Sequence, residues 1–389
     1  MKVVFISFSD FKGGASMAAY SIFNSLKKKN FLFLTAYSKH KKSIVIYNIF
    51  NKIQIFILRF IEKFLIFFFN KKKYHQSLNI FNTFMYKKIK FYKPDIINIH
   101  WVNRSMISLS EINRFEEKIV ISLHDMWFLN STEHYFERKK RISNFLDRIC
   151  WDEKKNLINK KNVFFIAHNR WMLNKVISLY PHLKSKIFLS KYYPIDTNVF
   201  KPRNKFNLRK KYNLPLDKKI ILFSAQDVND RRKGYHYFKK ILTRLSNNDN
   251  FFFLSIGNIN QHLNYFENYK HFKFLSNNET SEIYSLSDIY LCTSIIDNLP
   301  LTILEALSSG NLVISFKNGG ATELLKNLGL SFKVSDIDKI IKFIKNISDF
   351  ELKKYSNRSR SFALKNFKYH NSEKQYQKIL NTIYKLKIK

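Results

Sequence analysis

Short, unbroken apolar runs rich in Val, Ile and Phe recur along this chain, separated by longer stretches of helical character. In the first half they are Val3–Phe8, Phe31–Ala36, Ile96–His100, Ile119–Leu123 and Val163–Ala167; in the second, Ile220–Ser224, Phe251–Ile256, His271–Leu275, Ile289–Thr293 and Leu312–Phe316. Continuous apolar runs, as opposed to alternating ones, mark strands buried on both faces, as in a parallel sheet covered by helices. Strand and helix alternating over this length predict doubly wound α/β domains. The 389 residues suffice for two such domains at roughly 100–200 residues each. A basic, polar stretch near Tyr193–Asn213, punctuated by Pro194, Pro202 and Pro215, separates the halves. The expected layout is a Rossmann-like domain over 1–192, a second over 193–368, and an amphipathic helix from about 369 to 389 that packs back on the first domain.

Ligands of open α/β sheets sit outside the carboxyl ends of the strands, so the loops that follow strands carry the candidate chemistry. The first runs from Ser9 to Ser16 and contains Gly13 and Gly14. Paired glycines before a helix let the backbone approach an anionic ligand, or simply make a tight turn. The second is Leu123-His124-Asp125-Met126-Trp127. There His124 is placed to meet a sugar hydroxyl or a phosphate, with Asp125 beside it as a possible orienting group. His100 and Trp101 end the preceding strand in the same way. The third is Asp230-Arg231-Arg232-Lys233-Gly234. Cations at a strand-to-helix junction suit a diphosphate, Arg gripping as a fork and Lys as a point charge. The competing reading is a solvated basic face.

The fourth loop, Ser294 to Leu307, reads SIIDNLPLTILEAL. Asp297 or Asn298 can cap the helix, with Pro300 in its first turn. Its exposed N–H groups would then receive a phosphate or sugar oxygen. Asp297 and Glu305 would lie at most ~12 Å apart along such a helix. Glu305 sits inside an apolar stretch, where an unpaired carboxylate is costly. It therefore calls for a polar partner, and ribose hydroxyls would serve. The last loop, Asn318-Gly319-Gly320-Ala321-Thr322-Glu323, is a glycine-rich strand-to-helix junction or a plain turn.

Composition bounds the remaining classes. Lys and Arg number 68 against 29 Asp and Glu, a net charge of +39. Such a field attracts anionic lipids, nucleic acids or phosphorylated substrates, although an abundance of Lys, Asn, Ile, Phe and Tyr is also what an AT-rich genome encodes. No nucleic-acid motif accompanies the charge. Cys150 and Cys292 make neither a disulfide framework nor a zinc pattern, which suits a reducing cytosol. The N-terminus lacks a signal-peptide pattern. The segment Ile53–Phe69 is aromatic and apolar but interrupted by Arg59, Glu62 and Lys63, short of the ~20 clean residues of a spanning helix. It reads as a helix lying in a membrane interface, anchored by Lys71, Lys72 and Lys73, or as a buried core helix with a basic end. A dehydrogenase would need GxGxxG after a strand and an acidic residue about 20 positions on; the chain has no such fingerprint.

Taken together, GGASMAAY, SLHDMW, RRKG, DNLPLTILEALSSG and NGGATEL resemble glycosyltransferase family 4, in that family's order and spacing over nearly the whole chain. The likeness is greatest to bacterial members that build capsule, O-antigen and other exopolysaccharides. It implies a GT-B fold, two Rossmann-like domains facing across a cleft, with a UDP- or GDP-sugar donor in the C-terminal domain and the acceptor in the N-terminal one. By position, Glu305 resembles the ribose-holding Glu, Lys233 the diphosphate-binding Lys with Arg232 beside it, and His124 the His that faces the donor sugar. Asp297 stands where the family's E-x7-E motif has its first Glu. Asn298, Leu299 and Pro300 complete that donor-binding loop. The family's usual Arg six residues before the Lys is replaced by Asp227, with Arg231 as a compensating cation. The resemblance also implies retention of configuration without a metal or cofactor. The acceptor would be lipid-linked or an oligosaccharide, handled by a cytoplasmic enzyme peripheral to an anionic membrane, with no nucleic-acid partner. The alternatives are a catalytically degenerate protein of this fold, or a basic membrane- or nucleic-acid-binding protein without turnover.

Overall fold

The computed structural model describes residues 1–70, 75–136, 142–259, 266–273, 275–317 and 319–387. Lys71, Lys72, Lys73 and Asn318 therefore lie outside the described residues. The chain divides into two compact units, Met1–Lys191 with Ser372–Lys389, and Tyr192–Asn371.

The first unit contains β1 (Val3–Ser9), β2 (Phe31–Tyr37), β3 (Ser43–Val45), β4 (Ile96–Ile99), β5 (Lys118–Leu123), β6 (Val163–Ala167) and β7 (Ile187–Leu189), ordered β3-β2-β1-β4-β5-β6-β7 and all parallel. The second contains β8 (Lys219–Asp227), β9 (Phe251–Asn258), β10 (Tyr269–Phe272), β11 (Ile289–Cys292), β12 (Leu312–Phe316) and β13 (Gly329–Phe332), ordered β10-β9-β8-β11-β12-β13 and again all parallel. Both are doubly wound Rossmann-like sheets. Every side chain of β1, β4, β6, β11 and β12 is buried, which is why those strands read as unbroken apolar runs. The sequence reading missed β3, β7 and β13. All three are sheet edges, where one side needs no apolar cover. The reading also stopped β8 and β9 too early: their pairing continues past a register shift at Ser224/Asp227 to Asp227 and Asn258.

The helix Tyr369–Lys385 buries Tyr376, Ile379, Leu380 and Ile383. From Ser372 onward it is part of the first unit, where Tyr376 reaches under the sheet. Its hydroxyl shares a 2.5 Å hydrogen bond with Ser122 Oγ and donates to Asn98 Oδ1 at 3.1 Å.

A very different helix spans Ile49–Phe69, started by a capping box between Asn48 and Asn51. Only Ile55 and Glu62 are buried along it. Phe50, Phe56, Phe60, Phe64, Phe67 and Phe68 all point outward, Phe56 and Phe60 at about 70 % exposure. The core-helix alternative is thereby corrected, because most of this apolar face is exposed. No helix of the described residues is long and apolar enough to cross a membrane.

Replacing Tyr376 with Phe keeps the packing but leaves Asn98 and Ser122 each short of a partner in a dry site. Urea unfolding should then show a loss of about 1–2 kcal/mol.

Candidate functional site

The strand order of the second unit reverses between β8 and β11, since β8 goes on to β9 on one side while β11 begins the other. A crevice at such a switch point is where open α/β sheets bind ligands. The loops after β8, β11 and β12 are knitted together there by main chain. Ile295 N donates to Arg232 O at 2.7 Å, and Gly320 N donates to Asp297 O at 3.2 Å. Gly234 and Gly319 make this possible. Their φ values are +70° and +69°, and a Cβ on either would stand 1.9 Å from Thr293 O or 1.7 Å from Asp297 O.

The side chains converge on the same point. Lys233 Nζ donates to Asp297 Oδ2 at 2.6 Å and Arg232 Nη1 donates to the same oxygen at 3.0 Å. Arg232 is steadied further by Ile296 O at 3.2 Å and Asp230 Oδ2 at 3.1 Å. Burial works to raise the Asp297 pKa, but the charges of Lys233 and Arg232 outweigh it and hold the carboxyl below its ordinary range. Arg231 is exposed and makes no ion pair with Asp297. Asp227, in the position of the family's Arg, is also exposed; its carboxylate accepts from Asn229 N and Nδ2, fixing the turn after β8.

Two local expectations are corrected. Asp297 and Asn298 do not cap the following helix; Pro300 is its N-cap, and the helix runs Leu301–Ser308. The Asp297 carboxylate is drawn instead to the two cations, a stronger attraction than a neutral capping bond. Residues 297–300 are consequently not helical, and the estimate of Asp297–Glu305 separation along a helix does not apply. Asn298, Leu299 and Pro300 form the buried link between the ion cluster and the helix.

Glu305 is buried in that helix. Burial raises its pKa to about 7, with a hydrogen bond from Tyr284 opposing the rise. Tyr284 comes from the helix Asn277–Leu286, and its hydroxyl also meets Ser224 Oγ at 2.5 Å. The polar partner that the apolar surroundings of Glu305 called for is thus a protein phenol. A carboxyl group poised near neutrality at the switch point is a ready acceptor for a vicinal diol.

In the first unit, three successive strands each end in a histidine: His100 after β4, His124 after β5 and His168 after β6. All three are buried. Asn98 Nδ2 donates to Val120 O at 2.9 Å, which turns Asn98 Oδ1 toward His100 Nε2 at 3.0 Å. That oxygen can only accept, so His100 donates from Nε2 and accepts at Nδ1. His124 Nε2, 2.8 Å away, must then be the donor, leaving Nδ1 as the acceptor nitrogen of His124. His168 stacks on His124 with ring centres 5.5 Å apart. Burial, with the neighbouring histidines adding to it, pushes the pKa of His124 well below 6.5; burial takes His168 down to about 3. The ring at His124 is therefore neutral.

Asp125 does not orient His124. It binds His134 Nδ1 at 2.6 Å and Trp127 N at 2.9 Å, closing the loop after β5 on itself. The buried Lys154 ties the same loop down by donating to Trp127 O at 2.7 Å and Ser131 O at 2.6 Å. The orienting group for His124 is His100, and Asn98, His168 and Tyr376 went unnoticed in the sequence. The histidine ending each of three consecutive strands was the signal available for the array. At the β1/β4 switch point, Gly13 (φ 97°) is the N-cap of the helix Gly14–Leu26, and a Cβ at Gly14 would meet nothing within 4 Å. Asp10, just before them, accepts from Ser38 Oγ and Lys39 N and ties this loop to the one after β2.

Among solved structures, the chain superimposes over its full length on the glycosyltransferase from Rickettsia africae ESF-5, with 16 % identity, 99 % of each chain covered and a TM-score of 0.65. The fold is GT-B. A sucrose-phosphate synthase from Thermosynechococcus elongatus matches at 14 % identity, 99 % of each chain and a TM-score of 0.70. Anabaena HepE, in complex with UDP-glucose, matches at 13 % identity, with 98 % of this chain and 100 % of that one covered, at 0.70. Within the second GT-B domain, residues 204–364 match the family model described as glycosyl transferases group 1. No curated protein sequence matches.

Glu305 gives a pH signature. Its folded pKa of about 7 lies above the ordinary 4.5, so the folded state holds a proton that the unfolded state releases between those values. Its effect on stability is therefore most favourable below about pH 4.5 and is lost as pH rises through about 7. Glu305→Gln should melt close to the parent at pH 5 and above it at pH 8, by up to about 3 kcal/mol. Equal melting differences at both pH values would contradict this. Gly319→Ala should cost about 2 kcal/mol or more in the same assay, because both its backbone angle and its contact with Asp297 O oppose a Cβ.

Proposed function

We propose that the chain is a retaining glycosyltransferase of family 4, moving a hexose from a UDP- or GDP-sugar to a lipid-linked or polysaccharide acceptor in bacterial cell-surface glycan synthesis. The observation that carries this reading is the convergence of Lys233 and Arg232 on one point of the switch crevice, with buried Glu305 in the adjoining helix. Two cations held by one carboxylate lack only a more strongly charged partner. A diphosphate supplies it, and Asp297, displaced from Lys233, becomes free to accept a sugar hydroxyl. Glu305 exchanges the Tyr284 hydrogen bond for the ribose hydroxyls. Charge growing on the departing diphosphate is offset by the same cations, the largest contribution such a site makes to rate. The acceptor hydroxyl then attacks on the face the leaving group vacates, losing its proton to the diphosphate, with no metal or cofactor required. His124, neutral and with Nδ1 as acceptor, takes a hydroxyl of the transferring sugar. Gly13 and Gly14 leave room for the acceptor.

The enzyme works in the cytoplasm, peripherally on an anionic membrane. The exposed aromatic face of the helix Ile49–Phe69 and the net charge of +39 support this part.

A thermal-shift panel of UDP-, GDP- and ADP-sugars should show stabilisation by one nucleotide class. Lys233→Ala and Glu305→Ala should each remove most of that shift and lower turnover by about 10²–10³-fold. No shift with any nucleotide sinks the reading. Separately, the protein should sediment with anionic vesicles at low salt, and Phe60→Ser with Phe64→Ser should return it to the supernatant. A parent protein that stays in the supernatant rules out the membrane location.

A further inference from the structure

At the β1/β4 switch point of the first unit, several hydrogen-bond donors gather without acceptors. The loop after β4 carries Asn103 and Arg104; Asn79 ties it to the helix Ile49–Phe69, donating from N to Glu62 and from Nδ2 to Val102 O, and the charge of Arg59 on that helix acts on Arg104. Arg104 lies over the rings of Phe8 and Trp101, with centroids 5.4 and 5.5 Å from its guanidinium carbon. Arg59 and Arg104 are both half-buried, and among the described residues neither makes a hydrogen bond or an ion pair. A guanidinium carries only donors, so each is open to an added acceptor. Asn103 is 2 % exposed, and its Nδ2 also has no acceptor. Glu62, the carboxyl on the same helix, accepts from Asn79 N at 2.6 Å and feels the charge of Arg59 without bridging to it.

The backbone holds this arrangement at a cost. Arg104 and Ser105 both adopt left-handed φ, 63° and 56°, a conformation that non-glycine residues keep only where the surroundings impose it. Two like charges are thus presented together, and burial followed by the nearby charge of Arg59 pushes the Arg104 pKa down. Arginine stacked on aromatic faces, with its edge open and a second arginine beside it, is the arrangement that grips phosphate oxygens. Its place beside a helix with an exposed aromatic face suits a phosphate carried on a lipid.

We propose that Arg59, Arg104 and the Asn103 amide form a binding site for the phosphate of a lipid-linked ligand, the aromatic helix Ile49–Phe69 receiving its hydrocarbon. This rests on the reading of the first unit as the acceptor-binding domain, but not on donor binding. The test uses the full-length chain carrying Lys233→Ala, so that the diphosphate crevice does not contribute. Geranyl pyrophosphate binding is measured by calorimetry, with geraniol and inorganic pyrophosphate as separate arms. Geranyl pyrophosphate should bind, geraniol should not, and Arg104→Met and Arg59→Met should each weaken binding about 10-fold, whereas Lys63→Met on the outer face of the helix should not. Phosphatidylglycerol and phosphatidylcholine vesicles identify the source. Loss of vesicle binding in the arginine variants points to a membrane headgroup, and unchanged vesicle binding points to the acceptor; either outcome supports the phosphate site. Arginine variants that bind geranyl pyrophosphate as tightly as their background, or a Lys63→Met variant that loses as much, overturn it. UDP stabilisation of the Lys233-containing variants reports separately on the donor reading and on intact folding.

Discussion

One carboxylate oxygen of Asp297 accepts from both Lys233 and Arg232, and the second unit is organised around that pairing. Without it, two cations would lie side by side after β8 and repel each other, and the loops after β8 and β11 would lose their charged link. With it, the charges are stored in register in a partly dry crevice, where a displacement by a stronger anion changes partners without rebuilding the backbone. The main-chain bonds from Ile295 and Gly320 hold the loops whether or not the side chains exchange. The crevice is therefore pre-organised in the sense that makes electrostatic stabilisation effective: its dipoles and charges are in place before a ligand arrives.

The first unit solves the opposite problem. His100, His124 and His168 could each carry a charge, but burial keeps them neutral, and a single amide, Asn98, fixes which nitrogen of His100 and of His124 donates. Tyr376 and His100 both donate to Asn98 Oδ1, and His124 in turn donates to His100. The helix Tyr369–Lys385 thus helps to order the side chains near the sheet's carboxyl edge. The crevice of the second unit concentrates charge and balances it, while the histidine array of the first is neutral and directional.

What the sequence disclosed follows from what each residue depends on. Central strands were legible because burial on both faces leaves an unbroken apolar signature. The edge strands β3, β7 and β13 lack that condition and left no such mark. The burial of Glu305 was legible from its apolar neighbours alone, whereas its partner Tyr284 belongs to a preceding helix that only the fold brings near. The role of Asp297 as a cap was inferred from local preference and failed because cations from a distant loop outcompeted the local N–H groups. Asp125 shows the same limit, since its histidine partner is not the adjacent one in sequence but His134. In each case the local rule was sound and a tertiary partner overrode it. The helix Ile49–Phe69 was read as a helix, and its face became interpretable only once it was seen to be left uncovered.

Glycine is scarce here, with eight in 389 residues, and five of them have positive φ. In a chain whose composition leans so far toward Lys, Asn and Ile, glycine no longer serves as loop filler. At Gly234 and Gly319 the backbone admits nothing else, whereas Gly14 has room for a Cβ. Glycines of the first kind work as coordinate markers, fixing the path of the main chain. Related chains of equally skewed composition should be aligned first on these positions, and their overall percentage identity given little weight.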